Sequence, residues 1–348
     1  MIEYLLMNKI HIALASDNNY FEGLLTTAWS MAYHCSNPEN IIFHILDGGI
    51  SNDNWDFLLT RLHEFGCQVD RQIVDQNVRF NGFKCHHGGR MTYARLLLPE
   101  LLPDVKQIVY SDVDILWLAD VAELWASLNP DGVLHYVRDT VFPRAEAETT
   151  WLKENRLAIE NRFCAGMIVM NLCKFRDEKL HVKMMDMLIK HDGHIPDNDE
   201  TVLNVFMFGR QDAIPIARRW QCISRGNDDF DSRGYVLHFA DDAPWRNLHT
   251  IHHMLTNQIL SWHKYHAKAR QTTTWRSLRQ FHSVFDILFC RILYLCAVNC
   301  GFIKSMLHLF LTIRGREDGI HCIDQFTVKY PNLPISSPTG RPAPASGK

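Results

Sequence analysis

Ile108-Val-Tyr-Ser-Asp-Val-Asp114 is an apolar run that stops on two carboxylates. In an extended segment residues i and i+2 point to the same side, so Asp112 and Asp114 face one way at the end of a strand. Two convergent hard oxygens in that place suit a divalent cation that also meets the phosphates of a substrate. The spacing recurs at Asp197-Asn-Asp199 and Asp229-Phe-Asp231, but only the first instance follows a buried-strand pattern. Taken alone, the motif reads equally well as two solvated acids in a turn.

The same pattern extends to both sides of this stretch. Ile10-His-Ile-Ala-Leu-Ala15, Ile41-Ile-Phe-His-Ile-Leu46 and the run around Val69–Val74 are short and apolar, while Leu24–Tyr33 and Trp55–Phe65 between them are amphipathic at helical spacing. Further on, Leu96–Leu102, Met167–Leu172, Thr201–Phe208 and Tyr235–Phe239 carry the same domain to about Trp245. Strands alternating with helices predict an α/β sheet with helices on both faces. Ligands of such sheets bind beyond the carboxyl ends of the strands. Those ends are polar here: Ser16-Asp-Asn-Asn-Tyr20, Asp47-Gly-Gly49 and Ser111-Asp-Val-Asp114. Neither G-x-G-x-x-G nor G-x-x-x-x-G-K-[ST] occurs, which disfavours a Rossmann dehydrogenase or a P-loop NTPase.

The chain has 348 residues, 47% apolar and 22% charged, as expected of a folded globular protein rather than a disordered, collagenous or polytopic membrane chain. A net charge of −3 argues against nucleic acid as a partner. That charge is unevenly spread. Lys264 to Arg316 holds nine Lys or Arg against the single acid Asp286, in an apolar setting, so the segment is expected to associate with an anionic membrane surface. Between Arg291 and Lys304 only twelve residues are uncharged, where a span needs about 20. One or two helices lying along a membrane fit the pattern, and helices packed on the body are the competing account. The ten cysteines are scattered with no C-x-x-C, as for reduced cytosolic thiols. Asn8, Lys9 and His11 interrupt the apolar start before a signal-peptide core is complete. The domains expected are 1–262 catalytic, 263–330 a basic, apolar, helical membrane-association segment, and a disordered Pro-rich tail at 331–348.

Six motifs occur in order: Ala15-Ser-Asp-Asn-Asn-Tyr20, Thr92-Tyr-Ala-Arg-Leu96, Val109-Tyr-Ser-Asp-Val-Asp114, Ala165-Gly-Met-Ile-Val-Met-Asn-Leu172, Asp199-Glu-Thr-Val-Leu-Asn204 and His238-Phe with Pro244-Trp245. From about Lys9 to Trp245 the sequence resembles the retaining family 8 glycosyltransferases, the glycogenin-like group that includes bacterial lipopolysaccharide galactosyl- and glucosyltransferases. The resemblance implies a GT-A fold with a mixed, mainly parallel sheet, a UDP-sugar donor and a divalent metal, Mn²⁺ with Mg²⁺ as the alternative. By the same resemblance Asp112, Asp114 and His238 are the metal ligands, a mixed oxygen and imidazole set that favours Mn²⁺. Asp17 and Asn19 bond the uracil edge and Tyr20 stacks on its ring, chemistry that a carboxylate and an aromatic face can supply. Ala15, Val113, Ala165 and Gly166 line the donor site, His87 lies near the diphosphate, and Arg95, Asp199 and Glu200 form the catalytic centre.

Three positions depart from the family. His238-Phe-Ala-Asp-Asp-Ala-Pro-Trp245 is one residue short and lacks the family's Gly and its diphosphate-binding Lys, for which Arg246 or another cation substitutes unless phosphate affinity is reduced. Cys164 replaces a sugar-bonding Asn, and Glu200 replaces a Gln. The function expected is transfer of a hexose, galactose or glucose first, to a glycan acceptor. That acceptor is expected to be lipopolysaccharide core, met at the cytoplasmic face of the inner membrane. The competing functions are a metal-dependent nucleotide-sugar hydrolase or nucleotidyltransferase, and an inactive glycan-binding or scaffolding relative.

Overall fold

The computed structural model describes residues 9–85, 89–138, 146–159, 162–223, 232–240, 243–245 and 257–281. His87, Arg246, the basic residues beyond Phe281 and the tail at 331–348 lie outside the described residues. The chain divides into Met1–Asn247 with Thr256–Val284, and Leu248–Leu255 with Phe285–Lys348. All described residues belong to the first unit.

The strands are β1 (Ile10–Ser16), β2 (Ile41–Asp47), β3 (Gln68–Ile73), β4 (Gln107–Ser111), β5 (Ile115–Trp117), β6 (Leu134–Arg138), β7 (Phe163–Asn171), β8 (Ala213–Pro215), β9 (Cys222–Ile223) and β10 (Val236–His238). Seven form one sheet in the order β3-β2-β1-β4-β7-β6-β8, and β5-β10-β9 form a second, small one. β3, β2, β1 and β4 run parallel, β7 is antiparallel to β4 and β6, and β8 is parallel to β6. The sheet is therefore mixed and mainly parallel.

β1 is central and buried on both faces, which explains its unbroken apolar run. Its alternating side chains feed two separate cores. Ile10, Ile12 and Leu14 join the aromatic and aliphatic residues of α1 (Phe21–His34) and α2 (Asn52–His63). Ala13 and Ala15 join Leu96, Tyr110, Ile168 and the helices on the opposite face. The run Leu96–Leu102 is a 3₁₀ stretch, Met91–Leu97, passing into a short helix, Leu98–Leu101, whose Pro99 sits in the first turn, where no intrahelical N–H is needed. Thr201–Phe208 lies on α3 (Asn198–Met207) apart from its last residue.

The expected boundary at 262/263 falls inside α4 (Asn257–Ala269), which is followed by α5 (Thr274–Phe281). Both belong to the same compact unit as the sheet. Trp262 is fully buried against Trp245 and His266. His266 and Arg270 grip Glu22 of α1, with Nε2 of His266 at 2.8 Å and Nε of Arg270 at 2.9 Å. Burial alone would raise the Glu22 carboxyl, but these partners hold it at about 2. No helix among the described residues is long and apolar enough to cross a membrane.

Candidate active site

The end of β4 is fixed from two sides. Asp112 N–H donates to the Gly166 carbonyl of β7 at 2.7 Å. From the other side, the Thr27 hydroxyl of α1 reaches the Val113 and Ile115 carbonyls at 2.9 and 2.7 Å. The turn from β4 into β5 thus rests on α1, and Gly23 makes the close approach possible, since a Cβ there would lie 2.6 Å from the Val113 carbonyl oxygen. β10 then pairs antiparallel with β5, His238 opposite Ile115, and Phe239 N–H bonds the Asp114 carbonyl at 3.0 Å. That register delivers His238 beside Asp114, its Nε2 3.3 Å from Oδ1.

Asp112, Asp114 and His238 each offer one ligand atom, all within 4.8 Å of one another. They fit a divalent cation on three counts. Asp114 Oδ1 is buried and, among the described residues, has no polar partner besides the His238 ring at 3.3 Å. Burial and the neighbouring Asp114 raise the Asp112 carboxyl even with Arg95 beside it, a like-charge strain that a cation relieves. The donor set of two carboxylates and an imidazole is one that divalent cations accept. Burial works against a charged imidazole at His238, but the Asp114 charge outweighs it and raises the group well above its usual range.

Arg95 is buried (3%) and joins the carboxylates to the opposite wall. One terminal nitrogen lies 3.0 Å from Asp112, Nε lies 2.9 Å from Asp199, the other terminal nitrogen donates to the Ala165 carbonyl, and the guanidinium stacks on Tyr110 at 4.3 Å. Tyr110 O–H in turn donates to Asp112 at 2.8 Å, and Thr92 O–H to Asp199. Arg95 remains charged, because Asp112 and Asp199 outweigh its burial.

Asp199 and Glu200 open α3 behind a tight turn in which Asp197 and Asn198 both have φ of 52°, the left-handed region that costs an L-residue about 1–2 kcal/mol. Glu200 does not cap its own helix. One oxygen accepts from Arg162 at 2.7 Å and the other from the Ala165 N–H of β7 at 2.9 Å. Burial pushes its carboxyl up to about 7, against the pull of Arg162 and Ala165.

These groups meet in one cleft of about 360 Å³. Ala15, Asp17 and Tyr20 form its wall at the end of β1, with Val113, Cys164, Ala165 and Gly166 beside the carboxylates. Asp17 Oδ1 caps the following 3₁₀ turn through Asn19 and Tyr20 N–H. Tyr20 stands edge-on to Trp245. Asn19 is exposed and does not line the cleft, its amide 3.5 Å from Asp17 Oδ2. Arg162 enters the wall without a sequence signal, being a lone base ahead of β7. Gln221, buried beside His238, has none either.

The profile of Glycosyl transferase family 8 matches residues 11–249. General stress protein A of Bacillus subtilis (strain 168) is 25% identical over 198 residues, 56% of this chain and 66% of that protein. Probable galacturonosyltransferase-like 3 of Arabidopsis thaliana is 24% identical, covering 66% of this chain and 70% of that one. The chain thus spans about two thirds of the length of these curated relatives. Among solved structures, the galactosyltransferase LgtC with donor and acceptor sugar analogues superposes with a TM-score of 0.61 at 24% identity, over 77% of this chain and 99% of that one. An active-site glutamine-to-glutamate variant of LgtC gives 0.62 at 23%, over 74% and 96%. At these identities the structural likeness shows the shared GT-A fold. The profile match runs through every described side chain that lines the cleft, and the chain accordingly belongs to glycosyl transferase family 8 and is a glycosyltransferase.

Proposed function

We propose that the protein transfers a hexose, galactose or glucose, from a UDP-sugar to a glycan acceptor with retention at the anomeric carbon. The observation that carries this reading is the meeting of a cation-binding triad, an aromatic and acidic base corner and an arginine-bridged carboxylate pair in one cleft. Asp17 Oδ2 and the Tyr20 ring take the nucleobase, and Asn19 at the rim steadies Asp17. Asp112, Asp114 and His238 hold the ion, Mn²⁺ before Mg²⁺, which when bound supplies Lewis-acid charge compensation for the diphosphate. Arg95 keeps Asp112 and Asp199 at fixed separation, so that the ligand side and the sugar side of the cleft cannot drift apart. Asp199 and Glu200 present negative charge to the sugar, where positive charge develops as the bond to UDP breaks. Ala165 and Gly166 form the floor, and His87 and Arg246 are the candidate cations for the phosphates.

For the acceptor we favour lipopolysaccharide core at the cytoplasmic face of the inner membrane, supported by the basic segment. Of its described bases Arg270 is spent on Glu22 and Lys268 lies over Tyr33 and Tyr265, while Lys264 and Arg276 are exposed toward the surface. The test is a screen of UDP-sugars with Mn²⁺ against truncated glycans, with linkage assigned by NMR. Acceptor-dependent transfer from UDP-galactose or UDP-glucose supports the reading. Turnover of the same donors without any acceptor overturns it in favour of a nucleotide-sugar hydrolase, and UDP-sugar binding without turnover in favour of an inactive relative.

A further inference from the structure

We propose that Cys164 and Gln221 are positioning residues for His238, and that the Cys164 sulfur accepts the Nδ1–H of that ring whenever Nε2 holds a cation. The inference rests on the metal reading above and goes beyond it to what sets the strength of binding.

The ring of His238 is buried (3%) and lies so close over Gly166 that a Cβ there would come within 2.3 Å of its Cε1. Its Nε2 faces Asp114, so the cation is met from that side. Its Nδ1 faces two groups, the Gln221 amide nitrogen at 3.3 Å and the Cys164 sulfur at 3.7 Å. Gln221 is itself buried, and its amide oxygen is taken by the Met167 N–H of β7 at 3.1 Å. The amide is therefore turned with its NH₂ end toward the ring, as a donor.

A neutral imidazole carries one hydrogen, and a nitrogen that binds a cation must offer a lone pair. With Nε2 on the ion the hydrogen sits on Nδ1, where among the described residues it faces another donor in Gln221 and a single acceptor, the sulfur. Gln221 thus favours the arrangement with Nδ1 as acceptor, and Cys164 the arrangement that binds metal. Most metal-binding histidines lean instead on a carboxylate or carbonyl, and loss of such a partner costs about 10–100-fold in affinity. A sulfur acceptor is weaker, so this pair leaves the affinity open to adjustment from the second layer of the site.

The experiment measures the Mn²⁺ dissociation constant by electron paramagnetic resonance, without donor, in the wild type and in Cys164→Ala, Cys164→Ser, Gln221→Glu and the Cys164→Ala/Gln221→Glu double variant. Long-range ¹H–¹⁵N spectra with Mg²⁺ report which ring nitrogen carries the hydrogen. Cys164→Ala is expected to weaken binding by roughly tenfold, the low end for such partners, and Cys164→Ser, which keeps an acceptor, to stay within about threefold of wild type. Gln221→Glu is expected to tighten binding, one oxygen remaining on Met167 N–H and the other accepting Nδ1–H. In that background Cys164→Ala should cost little, a coupling that loss of packing alone would not produce. Cys164→Ala binding Mn²⁺ as well as wild type, or costing the same in both backgrounds, overturns the proposal. Asp114→Asn separates it from the metal reading: if that variant binds Mn²⁺ unchanged, the ligand assignment fails and the proposal fails with it, whereas a lost ion in Asp114→Asn beside an unaffected Cys164→Ala refutes the positioning alone.

Discussion

Glu200→Gln separates the stability of the cleft from its chemistry. The side chain is half-buried between Arg162 and the Ala165 N–H, and its carboxyl is pushed from the usual 4.5 up to about 7. A raised folded value means that the fold favours the protonated form. Its contribution to stability is fully present below the ordinary carboxylate range and is lost as pH rises through about 7. At 1.36 kcal/mol per unit, holding this group ionised at pH 8 costs about 3 kcal/mol, after the Arg162 pairing has been counted. Glutamine removes the charge and keeps one acceptor oxygen, for the Ala165 N–H, while its NH₂ turns toward Arg162, whose guanidinium retains Asp197 at 2.9 Å. The variant is therefore expected to melt roughly 5 °C above wild type at pH 8, at about 2 °C per kcal/mol for a domain of this size, and to lose that advantage toward pH 5. Turnover should move the other way, falling about 10- to 1000-fold if one transition-state contact worth about 1–4 kcal/mol is lost, with UDP affinity nearly constant. Calorimetry across pH 5–8 and steady-state kinetics with a panel of UDP-sugars read both. A variant that melts below wild type at pH 8, or by a margin that does not change with pH, refutes the account of a carboxylate ionised at a cost. Unchanged kcat and donor ranking would reduce Glu200 to a structural residue.

Asp114→Asn is expected to lose most Mn²⁺ binding, and the transfer that depends on it, while the far-ultraviolet spectrum stays native; full activity in chelator-treated buffer would exclude the triad as the ion site. Gly166→Ala drives a methyl to 2.3 Å from the His238 ring, so Mn²⁺ affinity should fall with the sheet intact, and calorimetric titration of the ion would show it. Truncation after Val284, which spares the helices gripping Glu22 but removes Arg291, Lys304, Arg314 and Arg316, is expected to weaken salt-sensitive binding to anionic vesicles, each base near the surface being worth about 1 kcal/mol, and to leave UDP binding intact. Equal vesicle sedimentation with and without residues 285–348 would remove the basic segment from the argument.

The strand ends were legible because burial writes them plainly: β1 and β4 are continuous apolar runs that stop on acids, and the cleft opens where they stop. Arg95 was legible through the motif around it. The small sheet was not, since β9 has two residues and β5 and β10 three each, too short for any period to register. Arg162 and Gln221 were hidden for another reason. Their places come from tertiary pairing, Arg162 with α3 and Gln221 with β7, and neither pairing leaves a local pattern. Asn19 is the converse case, a motif residue whose side chain the 3₁₀ turn leaves exposed and outside the cleft lining.

The three-residue strand β10 has a consequence for how the protein matures. Asp112 and Asp114 lie near the middle of the first unit's sequence, but the imidazole that completes their site comes from much later in the chain and is placed by the pairing of β10 with β5 and β9. A nascent chain released as far as β8 has all seven strands of the large sheet and no complete ion site. Contacts so distant in sequence form late and slowly. An ion held at the proposed triad favours only the finished topology, by RT ln(1 + [M²⁺]/Kd), and does nothing for the half-made chain. On that proposal metal availability during synthesis is a selector for chains that have closed correctly.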